Sequence, residues 1–198
     1  MVGVSDTVLR VGYVPGVTPD KWARSWRQRR DGVRLELTPL DEEEAESAVR
    51  ARRVDMVLAR LPLDPTGLHL VRLYDEVAVV VVAREHPVAA YDQIDLADLT
   101  GEQFIAGPPD GLVPDAAQLA FPPMSAAEAV EAAASGVGVV ILPQSVARQH
   151  HRRDAAHRLV RGLPPTTIAL VWPIDRDDRV TQAFVGVVRG RTPRSSRG

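Results

Sequence analysis

Histidines, clustered carboxylates and motif glycines are the groups that could give this chain a reaction to perform, and their spacing argues against one. Of the five histidines, His150 and His151 are adjacent, and on the helix expected there their side chains project about 100° apart. His157 lies beyond Arg152, Arg153 and Asp154. Arg148, Arg152, Arg153 and Arg158 surround the group and would repel a divalent cation, so the stretch reads as a solvated basic surface and no metal ligand is assigned. His69 and His86 stand alone. Asp175, Asp177 and Asp178 suit the capping of a following helix better than an acid–base pair. The phosphate loop GxxxxGK[ST], the dinucleotide turn GxGxxG, the nucleophile elbow GxSxG and the zincin HExxH are absent. No catalytic residue and no cofactor is predicted, although a dyad built from distant residues needs no local motif.

Composition narrows the classes further. With 198 residues, 45% of them apolar and 25% charged, the chain can bury a core as one generous domain or two small lobes. Its formal net charge of −2 gives no whole-body attraction to nucleic acid or anionic membrane, which leaves a small molecule or another protein as the ligand. Cysteine is absent, which excludes disulfides, thiolate metal sites and a cysteine nucleophile together. No apolar run approaches the ~18 residues of a membrane span, and Met1 to Thr7 lacks the basic and apolar regions of a secretory signal. A cytoplasmic location is the expectation.

The elements that must position any ligand follow from periodicity. Val8 to Tyr13 alternates as a strand closed by Pro15-Gly16, after which Thr18 is expected to cap a helix with Pro19 at its first position and Trp22 and Trp26 on one stripe. Asp31-Gly32 should stop that helix. Val33 to Thr38 is a period-two strand, Asp41 opens a second helix whose Glu42, Glu43 and Glu44 suit the positive end of its dipole, and Val54 to Ala59 is a third strand. This β-α-β-α-β run predicts parallel pairing with right-handed crossovers. Val77 to Ala83 reads as a strand buried on both faces. Residues 86–123 are rich in proline and glycine, Ser125 to Ser135 is an alanine-rich helix, Val137 to Leu142 a buried strand, and Ile168 to Trp172 a late strand before a helix carrying Val180, Phe184, Val187 and Val188. From Arg179 onward there are five arginines and no acid. The last residues are expected to be a flexible basic tail, solvated or weakly attached to an acidic partner or DNA.

Leu9-Arg10-Val11-Gly12, Gly32 to Leu37 and Val54-Asp55-Met56-Val57-Leu58-Ala59-Arg60 resemble the effector-binding domain of LysR-type transcriptional regulators. Leu73-Tyr74-Asp75-Glu76, His86-Pro87-Val88-Ala89, Asp95 to Leu99, Phe104-Ile105 and Ala134 to Pro143 continue the likeness in the family's order over roughly residues 8–190. The resemblance implies an α/β, two-lobed fold like the type 2 periplasmic binding proteins, with two crossover strands and an effector in the interlobe cleft. Lobe I would be 7–79 plus 169–190, lobe II 80–168, and the tail 191–198. The strand at 77–83 would be the first crossover and that at 168–172 the second. Two departures stand out: only about seven residues precede the first strand, where the family carries its helix-turn-helix, and lobe II is trimmed around 106–123.

Read this way, the chain is a non-enzymatic, stand-alone effector-binding domain that does not recognise a DNA sequence by itself. The alternative is a protein-interaction module that has kept the fold and lost its ligand. The cleft would be lined by Val17, Thr18, Leu40, Arg60, Leu61, Gly107, Pro123, Met124 and Ser125. Pro19 lacks an N–H, Asp20 places a negative charge in the helix's first turn, and Ser125-Ala126-Ala127-Glu128 reads as a capping box that consumes its own donors. A neutral, fairly apolar effector is therefore expected. A homodimer is predicted, with Trp22 and Trp26 as its apolar anchors unless they are core.

Overall fold

The computed structural model describes residues 7–29 and 32–190, so the tail 191–198 and the stop expected at Asp31 lie outside the described residues. The chain divides into two compact units, residues 1–75 with 167–198 and residues 76–166. The expected alternation opens unit 1: β1 (Val8–Tyr13), α1 (Asp20–Arg27), β2 (Arg34–Pro39), a short 3-10 turn at Glu42–Glu44 running into α2 (Ala45–Arg50), and β3 (Met56–Arg60). β1 lies parallel between β2 and β3, with Val11 opposite both Leu37 and Met56. β3 is buried along its whole length, as a strand covered on both faces must be.

A strand that the periodicity did not single out comes next, β4 (Leu68–Glu76). It is an edge strand whose residues are mostly half-exposed, so its pattern carries little apolar contrast. The chain enters unit 2 between Asp75 and Glu76, ahead of the valine strand. That strand, β5 (Ala78–Ala83), lies inside the second sheet. Unit 2 continues with β6 (Gln93–Asp95), α3 (Ala126–Ala134), β7 (Val140–Pro143), α4 (Gln144–Gln149) and β8 (Ala155–Arg161), in sheet order β6-β8-β5-β7. α3 begins at the capping box expected of Ser125 and Glu128: Ser125 N–H donates to Glu128 Oε2 at 2.7 Å and Glu128 N–H to Ser125 Oγ at 3.3 Å. The chain then returns to unit 1 as β9 (Thr166–Pro173), completing the order β2-β1-β3-β9-β4, and ends in α5 (Arg179–Val188). Asp178 caps α5, its Oδ1 accepting from Val180 N–H at 2.8 Å and Thr181 N–H at 3.0 Å.

Three local expectations are corrected. Thr18 does not cap α1: Pro19 occupies the boundary with helical angles, its carbonyl accepting from the Trp22 and Ala23 amides, and Thr18 stays exposed. α1 ends at Arg27, before Asp31. Trp22 and Trp26 are core and not surface anchors, only 6% and 3% exposed. Trp26 meets the Phe184 ring edge-on, with centroids 5.6 Å apart, and donates its indole N–H to the Val33 carbonyl at 2.9 Å, which fastens α1 to both α5 and β2.

Candidate functional site

In unit 1, right-handed crossovers from β1 outward to β2 and from β2 back past β1 to β3 must lie on opposite faces of the sheet, and α2 packs against β1 and β3 while α1 packs against α5 and β2. The β1/β3 boundary is therefore a topological switch point, where open α/β sheets present a crevice beyond the strands' carboxyl ends. Val17, Thr18, Leu40, Arg60 and Leu61 all follow or end these three strands. Val17 is buried within the unit 1 core, Leu40 and Leu61 pack against that core from a half-buried position, and Thr18 is exposed. Gly12 brings β1 close to this layer, since a Cβ there would lie 2.4 Å from Leu40 Cδ1.

Arg60 is the cation of this group, and its side chain is 5% exposed. A guanidinium taken that far out of water needs a compensating charge. Glu42 supplies it, its two carboxylate oxygens each 2.8 Å from Arg60 Nη1, while Nη2 donates to the Pro15 carbonyl at 3.2 Å. The glutamate triplet thus does more than complement a helix dipole: its first member reaches across 18 residues of sequence to neutralise the arginine. The clue available in the sequence is that an arginine ending a wholly apolar strand must find an acid. A cavity of about 250 Å³ opens beside the pair, walled by Glu42, Glu43, Glu46, Arg60, Leu61, Pro62 and Leu63. The Leu61 amide, at its rim, donates to the Thr167 carbonyl at 2.9 Å, and the Thr167 hydroxyl donates to Asp75 Oδ1 at 2.6 Å. The first turn of α1 carries Asp20, and its boundary residue Pro19 has no N–H to offer.

Gly107, Pro123, Met124 and Ser125 belong to unit 2. Gly107 and Pro123 are exposed, Met124 packs against the core beneath α3, and the Ser125 hydroxyl is engaged by Glu128 Oε2 at 2.7 Å. Residues 106–124 contain no helix or strand. A paired-amide clasp that sequence reading did not foresee fixes this passage: Gln118 Oε1 accepts from Phe104 N–H at 2.7 Å, and Gln103 Oε1 accepts from Leu119 N–H at 2.8 Å. The amide of the buried Phe104 needs such a partner, and neither glutamine belongs to a motif that would have announced it.

No helix of the described residues is long and apolar enough to cross a membrane. The sequence model of the LysR substrate binding domain matches residues 3–193. Among curated proteins, the chain is 23% identical over 202 residues to the Hca operon transcriptional activator HcaR of Escherichia coli (strain K12), covering 94% of this chain and 68% of the relative. It is 30% identical over 164 residues to the HTH-type transcriptional regulator CatR of Pseudomonas putida, covering 74% of this chain and 55% of that protein. Among solved structures, the BenM effector binding domain with its effector benzoate has a TM-score of 0.73 at 18% identity, covering 94% of this chain and 95% of that one. The reduced form of the OxyR regulatory domain from Pseudomonas aeruginosa has a TM-score of 0.71 at 19% identity, covering 94% and 96%. At these identities the structural likeness establishes the two-sheet α/β fold of such domains.

Proposed function

The chain belongs to the LysR substrate binding domain family, and from that premise we propose that it is a non-enzymatic, effector-binding regulatory domain whose ligand is small, uncharged and largely apolar. The observation that carries the charge preference is the Arg60–Glu42 pair. A ligand carboxylate approaching the carboxyl ends of β1 and β3 would meet an arginine whose Nη1 already faces two carboxylate oxygens. It would also meet Glu43, Glu46 and Asp20, while Lys21, in α1's first turn, holds its Nζ over the Trp22 ring, 4.7 Å from the centroid. Benzoate, the effector of the BenM domain, carries the charge that this arrangement disfavours. Leu40, Leu61 and Leu63 offer apolar contact instead, and a cavity of about 250 Å³ falls just below the range for drug-sized ligands. Gly107, Pro123, Met124 and Ser125 are proposed as unit 2's contribution to effector binding. A second copy of the chain is the proposed partner, held by surfaces other than Trp22 and Trp26.

The experiment is a thermal-shift comparison of benzamide with benzoate, extended to further matched neutral and carboxylate compounds, on the wild type and Glu42→Gln. A ligand at 100 times its Kd stabilises by ~2.7 kcal/mol. Neutral members should raise the wild-type Tm while carboxylates do not, and Glu42→Gln should admit the carboxylates by releasing Arg60. Carboxylates that stabilise the wild type more than their amides, with no change in Glu42→Gln, overturn the charge argument. A wide panel that never shifts the Tm favours the protein-interaction module instead.

A further inference from the structure

His157 stands on β8 opposite Val81 of β5, on the sheet face where Val81, Ala133 and Ala147 form the core beneath α3 and α4. The imidazole is half-buried there, which departs from the solvated basic surface expected of this stretch. α4 delivers Arg148 from its last turn, the chain turns at His150 and His151, and Arg158 follows on the strand. Burial first, and then the charges of Arg148, Arg158 and His151, hold the His157 imidazole below its ordinary pKa. Acids near the corner are committed elsewhere. On α3, Glu128 is held by Ser125 and Glu131 lies 3.9 Å from Arg152. Asp154 takes Arg152 at 2.8 Å, and Asp95 of β6 takes Arg161 at 2.7 Å. β5 and the turn at Pro87–Ala90 bring no charged residue. The side chains of Arg148, His150, His151, Arg153 and His157 are thus without a carboxylate partner among the described residues. Several other arginines of the described residues do have a carboxylate: Arg10 and Arg176 meet Asp55, Arg50 meets Glu46, and Arg60 meets Glu42.

We propose that the α4–β8 corner of unit 2 binds a phosphate-bearing anion, with Arg148, His151 and His157 as its ligands and Arg153 adding to the local field. A guanidinium and two imidazoles, carried by α4, the following turn and β8, together offer several N–H donors, which suits the three acceptor oxygens of a dianionic phosphate better than the two of a carboxylate. The anion supplies the countercharge that the fold omits, and binding must raise the pKa of His157. By linkage, affinity rises as pH falls through the His157 titration.

The test titrates inorganic pyrophosphate into the full chain at low ionic strength and follows the histidine ring signals by NMR across pH. The His157 pKa should rise on saturation, and Arg148→Gln, at an exposed position, should weaken binding about tenfold. Unchanged melting of Arg148→Gln and Arg153→Gln verifies that both variants are folded. A DNA duplex of arbitrary sequence distinguishes the sources of the phosphate. Duplex binding that pyrophosphate competes away and that the double variant, Arg148→Gln with Arg153→Gln and melting as the wild type does, weakens identifies a nucleic-acid backbone as a ligand. Duplex binding that the double variant leaves unchanged, with pyrophosphate still bound at His157, confines the site to small phosphate compounds. Pyrophosphate that leaves the His157 titration unmoved, or binds the double variant as tightly as the wild type, overturns the proposal.

Discussion

Asp55→Ala should loosen unit 1 at the start of its central strands, by an amount the local geometry fixes within limits. The Asp55 side chain is 7% exposed and accepts from the Arg10 backbone N–H at 2.9 Å, from Arg10 Nε at 3.2 Å and Nη2 at 3.1 Å, and from Arg176 Nη2 at 3.3 Å. Its own amide donates to the Arg10 carbonyl at 2.8 Å, one step ahead of the Val11–Met56 register. Breaking a buried ion pair costs about 3–5 kcal/mol when the survivor is trapped without water. Here the survivors are 43% and 39% exposed and can be hydrated, so the cost settles at about 2–3 kcal/mol, chiefly the charge-assisted bonds and the strand amide. A Tm drop of about 5–10 °C follows. All three tryptophans, Trp22, Trp26 and Trp172, lie in unit 1, so tryptophan fluorescence, excited selectively over tyrosine, reports this unit alone. Asp55→Asn keeps an acceptor for the amide and should lose about half as much.

Burial alone would push the Asp55 carboxyl up, but the Arg10 hydrogen bonds and the charges of Arg10 and Arg176 outweigh it and hold the group below the usual carboxylate range. A depressed folded value means that the stabilisation is complete above the unfolded pKa of about 3.9 and is lost as pH falls through the folded value. The gap between wild type and Asp55→Asn should therefore be flat above about pH 5 and close on further acidification. A Tm loss under about 2 °C for Asp55→Ala, or a gap that stays constant into the acid range, refutes the reasoning.

Two further substitutions probe the units separately. Gly138→Ala would place its Cβ 2.5 Å from the Gln103 carbonyl oxygen, a backbone atom that also accepts from Val139 N–H, and should cost unit 2 about 1–3 kcal/mol; faster hydrogen exchange at Ile105 and Val139 is the readout, and unchanged protection would contradict it. Trp26→Ala removes a core ring and should cost about 3–5 kcal/mol. Light scattering on the folded fraction should then show the oligomeric state of the wild type, whereas a folded monomer in place of a wild-type dimer would return Trp26 to an interface.

What the sequence determined by itself is local. The alternation of β1 and β2, the apolar runs of β3 and the valine strand, and the Ser125 capping box depend on neighbours within one or two turns, so periodicity and hydrogen-bonding chemistry express them directly. β4 and β8 escaped because half-exposed strands carrying His69, Arg72, His157 and Arg158 show no clean apolar alternation. Tertiary pairing decided their places: β4 takes the edge of the first sheet beside β9, and β8 an inner place between β6 and β5. The family resemblance implied the two-sheet architecture, which no spacing in the chain could show. The charges were decided by tertiary structure alone. Glu42 meets Arg60 across 18 residues, Arg10 meets Asp55 across 45, and Arg176 reaches Asp55 across 121. A charged side chain selects its partner by distance and dielectric, and distance between remote residues exists only once the strands are ordered in a sheet. The same ordering set His157 on the α4 face among cations, giving a residue that the sequence showed only as one basic position among many its particular chemistry.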